Sequence, residues 1–458
     1  MRPVSFQITQ GEEALTSHSG LALIGALMGR TRLAARVDEI TLTERPEPEF
    51  SHGDVLTSMI GLLALGKPDF EAVEAFRTDP FFVQALGLDA VPSAATLRQR
   101  LDALGEDALG GQVEGTIREE SADLVARHAP PITPCYEVAD GRCGPWMGLD
   151  IDVSVFDNSD TKKQGVSWTY KKVDGFAPIF AYLGQEGYLI NCQLRQGSQH
   201  SQEGAEDFIR DTLRLARRIT KEKLLVRMDS AHDDMATVRQ LRRAPKTDFI
   251  VKRNLRRESK QTWLEEAQAL GERRCPRPGK EIFTGSLVGE RKDVFERIVF
   301  EVVRRTISAE GQALLIPDIE VQTWWTNLAA PPADVIRLYR EHSTCEQFHS
   351  ELKTDMDLER LPSGKFATNA LLLLLGMMAY NALRLCGQTS LREARHLPAE
   401  KQVALRKKAG RRRLRSVILD LMYQAARWVR HGRRFGLSFG CFNPWFDVWR
   451  RTYLRACT

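Results

Sequence analysis

The chain has 458 residues, 43% of them hydrophobic and 27% charged, with a formal net charge of +5 at pH 7; this is an ordinary globular composition, enough for about two to four domains. The eight cysteines are scattered without a Cys-x-x-Cys pair, which argues against a zinc cluster or a disulfide framework and for a reducing cytoplasm. The N-terminus has no basic stretch followed by a long apolar core, and the most apolar run, Ala370 to Tyr380, is far shorter than the ~20 residues of a membrane span; neither a signal peptide nor a membrane partner is expected.

In chain order, residues 1–130 read as a mainly helical domain, with short helices punctuated by Gly66-Lys67-Pro68-Asp69, Asp79-Pro80 and Val91-Pro92-Ser93. Ser93 has the character of an N-cap, and the helix after it carries Arg98 and Arg100. That helix reads either as a DNA-recognition helix, making this a DNA-binding domain, or as one member of a small bundle. Ala129 to Pro134 has linker composition. Strands alternating with helices follow over 145–253: strands at Leu149–Phe156, Ala177–Leu183, Tyr188–Leu194, Lys223–Met228 and Asp248–Lys252, helices at about Glu203–Ile219 and Asp234–Arg243. Residues 254–320 break that rhythm and read as a β-rich insertion. Asp293–Arg304 and Glu320–Thr326 read as strands, and within 321–390 helix returns from Ala333 to Leu385, with Ala370–Tyr380 as a buried segment. Residues 391–458 form a basic helical tail. It carries about +13, including Arg411, Arg412 and Arg413, against about −11 over residues 1–150. Cations interleaved with aromatics suit a phosphate backbone, and equally suit docking on the acidic N-terminal part.

Three acidic positions stand at the ends of these elements. Strand alternation puts Asp150, Asp152 and Ser154 on one face of the first strand. The strand Leu224–Met228 ends in Asp229, at the carboxyl end where α/β sheets bind ligands. In the helical stretch after residue 333, Tyr339, His342, Glu346 and Lys353 recur at helical spacings and form one stripe.

These residues resemble the DDE transposases of bacterial insertion sequences, in the branch marked by the signature Y-x2-R-x3-E-x6-K. The match is Tyr339, His342, Glu346 and Lys353, with every spacing kept and His in place of Arg. Asp152-Val153-Ser154 and Asp229-Ser230-Ala231 are similar to the two Asp motifs. Gly197 to Ser201, Thr326-Asn327-Leu328, Leu361-Pro362-Ser363, Asn369 and Ala379-Tyr380-Asn381 add to the likeness, which covers roughly residues 85–390.

The resemblance implies an α/β, RNase H-like mixed sheet with flanking helices, interrupted by the β-rich insertion. It implies catalysis by Asp152, Asp229 and Glu346 holding two Mg²⁺ ions, with Mn²⁺ as a substitute, and Asp150 as second choice of ligand or as an outer partner. Tyr339, His342 and Lys353 are expected to meet phosphates, as are Arg98, Arg100 and Arg411 to Arg413. Trp324 and Trp325 either stack an extruded base or contribute to the core. The expected partners are the inverted-repeat ends of the element, target DNA and further copies of the chain, in the nucleoid. Two rival readings share the carboxylates: an RNase H-like nuclease or resolvase that cleaves without joining, and a catalytically impaired DNA-binding copy.

Overall fold

The computed structural model describes residues 5–40, 50–106, 110–135, 144–308, 310–398, 409–432 and 434–458. After a two-residue strand β1 (Leu15–Thr16) the chain forms α1 (Leu21–Met28), α2 (Leu33–Asp38), α3 (His52–Ala64), α4 (Pro80–Leu86), α5 (Ala94–Glu106) and α6 (Gly110–His128). Local chemistry sets these boundaries. Ser51 Oγ accepts from Asp54 N to start α3, and Asp79 accepts from Phe81 N with Pro80 in the first turn of α4. Gly87, at φ 67°, closes α4 in the left-handed region.

Beyond the linker come β2 (Met147–Val153), β3 (Phe156–Asp157), β4 (Ser167–Trp168), β5 (Asp174–Phe176), β6 (Ile179–Leu183), β7 (Tyr188–Gln193), α7 (Ala205–Ile219), β8 (Leu224–Met228), α8 (Met235–Arg243) and β9 (Thr247–Arg253). The first strand stops earlier than its apolar pattern predicts. Val153 pairs with Ile179, and Ser154 N then donates to Pro178 O at 3.0 Å; proline has no N–H with which to continue the ladder. Phe156 therefore belongs to a separate small sheet, ordered β3-β5-β4.

Residues after β9 give α9 (Lys260–Leu270), β10 (Glu272–Arg277), β11 (Lys280–Arg291), β12 (Val294–Ile307) and β13 (Ala313–Thr326). They do not stand apart as a sheet of their own. β13 pairs antiparallel with β9, so the large sheet runs β10-β11-β12-β13-β9-β8-β2-β6-β7. That pairing covers what would be the open edge of β9. Within the sheet β2, β6 and β7 are antiparallel, whereas β2-β8 and β8-β9 are parallel. The fold is mixed α/β around this large mixed sheet.

The helical stretch then comprises α10 (Pro332–Arg340), a 3-10 turn over Glu341–Thr344, α11 (Cys345–Ser350), a π turn over Glu351–Asp355 and α12 (Phe366–Arg395). α12 is long and apolar enough to cross a membrane by length and composition, yet 94% of its most apolar window is buried inside the protein. It packs on α3, α5, α6 and β7, and each fully buried leucine from Leu371 to Leu375 contributes about 1.5–3 kcal/mol.

The tail is not wholly helical. After α13 (Leu414–Val417) and a π turn at Ile418–Met422, β14 (Ala426–His431) and β15 (Arg434–Phe439) form a hairpin, followed by α14 (Phe446–Ala456). Trp428, Leu437 and Phe439 alternate with exposed positions and pack one face of the hairpin against the core, a period of two that a helix cannot use. Its other edge pairs with β1, joining the two ends of the chain in one sheet.

Candidate active site

β2 and β8 lie side by side, parallel, with Asp150 opposite Arg227. Asp152 is two residues further along β2, and Asp229 follows β8 directly, capping the turn Ser230–His232 through a bond from Ala231 N of 3.1 Å. α11 crosses above them and carries Glu346, an exposed residue, into the same cavity. Asp152, Asp229 and Glu346 thus line one cavity of about 910 Å³, together with Tyr339, His342 and Lys353. These last four helical-stretch residues do not share one regular helix. They fall on α10, the 3-10 turn, α11 and the π turn in succession, yet all reach the same wall.

The two neighbouring aspartates of β2 have different surroundings. Asp150 is 2% exposed. Its oxygens take Arg227 Nε and Nη2 at 2.6 and 2.7 Å, and His342 Nδ1 lies 2.9 Å from Oδ1. Burial opposes its charge, but the Arg227 guanidinium and His342 outweigh that and hold its carboxyl below the usual range. Asp152 faces the cavity. His349 Nε2 is 3.3 Å from its Oδ2, and His349 Nδ1 is 3.1 Å from the Tyr182 hydroxyl. Burial again works against the charge on Asp152, and the His349 bond and the nearby His342 prevail, so its carboxyl is held low. Asp229 responds in the opposite sense: burial, and then the charge of Asp152, push its carboxyl up to about 6.

Asp150, His342 and Cys345 have potential ligand atoms within 4.8 Å of one another, but their chemistry does not suit a cation. Both Asp150 oxygens already bind a guanidinium, and burial pushes the Cys345 thiol well up, keeping it protonated. Asp152, Asp229 and Glu346 form the better donor set. Three carboxylates around one cavity offer the hard oxygen ligands a divalent cation takes, and the burial and the Asp152 charge that together lift Asp229 are both offset by such a cation. A second cavity, about 900 Å³, lies between the N-terminal helices and the C-terminal hairpin; Asp54 is the one carboxylate residue lining it, and it lacks such a donor set.

Several expected contacts are spent elsewhere. His342 is 7% exposed and bound to Asp150, so it buttresses the wall instead of gripping a phosphate. Lys353 Nζ donates to Val155 O at 2.7 Å and pairs with Glu359 at 2.8 Å. Arg98 pairs with Glu71, and Arg100 Nη2 bonds His52 Nδ1 at 2.7 Å. In the tail, Arg411 pairs with Glu351, Arg412 with Asp420, and Arg413 with Asp355. Arg411 and Arg413 fasten the tail to the helical stretch, while Arg412 pairs within the tail. Lys401, Arg406, Lys407, Lys408 and Arg433 lie outside the described residues. Trp324 and Trp325 are both fully buried, Trp325 with its indole N–H on Asp233 Oδ1 at 2.9 Å, and offer no face to a base.

Sequence reasoning missed Arg227, His349 and Tyr170. Arg227 had a signal: a lone cation inside an apolar strand needs a buried partner, and the strand register supplies Asp150. His349 stands three residues after Glu346, on the stripe already singled out. Tyr170, whose hydroxyl donates to Val153 O at 3.3 Å, comes from the β4–β5 connection and carries no local pattern.

No curated protein matches the chain. Among solved structures it is similar to the piggyBac transposase synaptic complex with hairpin DNA seen by electron cryo-microscopy. The identity is 9% and the TM-score 0.43, over 90% of this chain and 83% of that one. The family model described as Transposase DDE domain group 1 matches residues 3–455. A match over nearly the whole length, on a chain that gathers Asp152, Asp229 and Glu346 around one cavity, means that this protein belongs to the DDE transposase family.

Proposed function

We propose that the chain is the transposase of an insertion sequence: it binds the element's ends, cleaves the DNA there and joins the ends to a target. The observation that carries the reading is the cavity in which Asp152, Asp229 and Glu346 converge, with the Asp229 carboxyl raised beside Asp152. The order β7-β6-β2-β8-β9, an antiparallel meander continued by two parallel strands, supports an RNase H-like core, with 1–130 as an end-binding domain and the β-rich stretch 254–320 as the insertion. Bound by the three carboxylates, two Mg²⁺ ions, or Mn²⁺ in their place, would lower the pKa of an attacking water or 3′-hydroxyl and stabilise the leaving oxygen.

The chain's own residues prepare that chemistry. His349, held by Tyr182, orients Asp152, and the Arg227-Asp150-His342 network fixes β2 against the helical stretch. Because His342 serves this network, its replacement of the family arginine is compatible with an active site. We place the protein in the cytoplasm, on nucleoid DNA, as a dimer or larger assembly. The test uses DNA carrying the inverted repeats that flank the reading frame. Asp229→Ala and Glu346→Ala should each abolish Mg²⁺-dependent cleavage and end joining while the ends are still bound. Cleavage by the wild type without any joined product would favour a nuclease or resolvase, and loss of binding with cleavage intact would make the carboxylates structural.

A further inference from the structure

The small sheet β3-β5-β4 stands beside the carboxylate cavity, and the connection from β4 to β5 exposes two aromatic rings. Trp168 is 61% and Tyr170 62% exposed; Trp168 is the only exposed one of the eight tryptophans. They flank Thr169, which is buried and does the pinning: its hydroxyl and its amide both donate to Val173 O, at 2.8 and 2.9 Å. The rings are thus not what folds the hairpin, and leaving so much apolar area in water is unfavourable. Tyr170 turns its hydroxyl inward to Val153 O, one residue past Asp152. It lines the cavity together with Lys171. Lys171 and Lys172 are exposed, and no ion pair among the described residues engages either.

We propose that the β4–β5 hairpin is a stacking platform for an unpaired nucleotide of the DNA strand that enters the carboxylate cavity. Trp168 covers the base face, Lys171 and Lys172 meet the adjoining phosphates, and Tyr170 anchors the platform to β2. Stacking on an aromatic ring is tolerant of sequence, because every base has a flat face. It selects for unpaired bases, because in a duplex those faces are already covered by neighbouring bases. The assignment moves base recognition from the buried Trp324 and Trp325 to the one tryptophan that is exposed, close to the reacting phosphate. It rests on the transposase reading above and specifies how that site holds its strand.

The experiment compares the full-length protein with Trp168→Ala and Trp168→Phe, binding a short oligothymidylate or a duplex of the same length, by fluorescence anisotropy. Trp168→Ala should weaken oligothymidylate binding by about 5- to 100-fold, the loss of one stacked base, with a much smaller loss on the duplex. Trp168→Phe should recover most of the difference, and the salt dependence should not change, because no cation is removed. Lys171→Ala with Lys172→Ala should instead flatten the salt dependence. Unchanged oligothymidylate binding by Trp168→Ala, or equal loss on both DNAs, overturns the platform while leaving the transposase reading intact. A wild-type protein that binds neither DNA overturns both.

Discussion

At Asp229 two pressures add, burial and the charge of Asp152, and together they raise its carboxyl to about 6. In the unfolded chain the same group titrates near 3.9, so between about pH 4 and pH 6 the folded state holds more protons than the unfolded one. Stability therefore falls as pH rises through that window, and the penalty is fully present above it. Asp229→Asn should stabilise the metal-free protein at pH 7.5 by up to about 3 kcal/mol. The gain should shrink towards zero as the pH is lowered to about 4, which denaturation series in chelator will show; a gain equal at every pH would mean that Asp229 is not strained. Asp150 behaves otherwise. Asp150→Asn leaves the buried Arg227 guanidinium with only Glu341, 3.4 Å away, as a counter-charge, a loss of up to about 3–5 kcal/mol that added Mg²⁺ should not restore; recovery of both stability and cleavage at high Mg²⁺ would return Asp150 to the list of metal ligands. The carboxylates of the site were legible residue by residue, because strand ends and helical spacings are local patterns. The motif favours Asp152 over Asp150, but the physical reason that sets Asp150 apart, Arg227 arriving from a strand 77 residues away, was not legible.

Among the elements, the strands and helices between residues 147 and 253 follow their apolar periodicity closely, including the antiparallel meander and the parallel strands after it. The tail departs from the expected helix through the period of two in its hairpin, and its arginines are engaged within the protein. A run of arginines reads as free to meet phosphate only until its partners are known. Here Glu351, Asp355 and Asp420 take Arg411, Arg413 and Arg412, and Glu351 also holds Arg384 in the interior of α12. Arg411→Ala should consequently lower stability and leave the salt slope of DNA binding unchanged, whereas a phosphate contact would reduce that slope by about one. Glu351→Gln is the harsher change. It leaves Arg384 buried without a counter-charge and should cost about 3–5 kcal/mol, measurable by urea denaturation. Trp324 and Trp325 illustrate the same limit: Trp324 is covered by α10, with the Tyr339 ring 5.6 Å away, and Trp325 by Asp233, Arg253 and Arg291, contacts that no local pattern announces.

At the scale of the whole molecule, the chain closes on itself. β1 pairs with β14, α1 packs on α14, and Gly20 N donates to Met422 O at 3.1 Å. The backbone leaves no room there for a side chain, since a Cβ on Gly20 would lie 2.2 Å from Leu421 O. Truncation after residue 410 should therefore strip cover from the N-terminal helices as well as removing cations. The expected result is a chain that is cleaved rapidly by protease within residues 15–65, and not a stable protein with weaker DNA binding. A truncated chain as resistant as the full one would show that the N-terminal helices stand alone. The closure also sets a clock on synthesis. Leu15 leaves the ribosome 412 residues before its partner Arg427, an interval of about 20–80 s at ordinary elongation rates. Over that time α1 has α4 to pack on but lacks α14, so the nascent protein is a natural client for chaperones, and a ribosome that stalls before the hairpin leaves behind a chain whose N-terminal helices are incompletely covered.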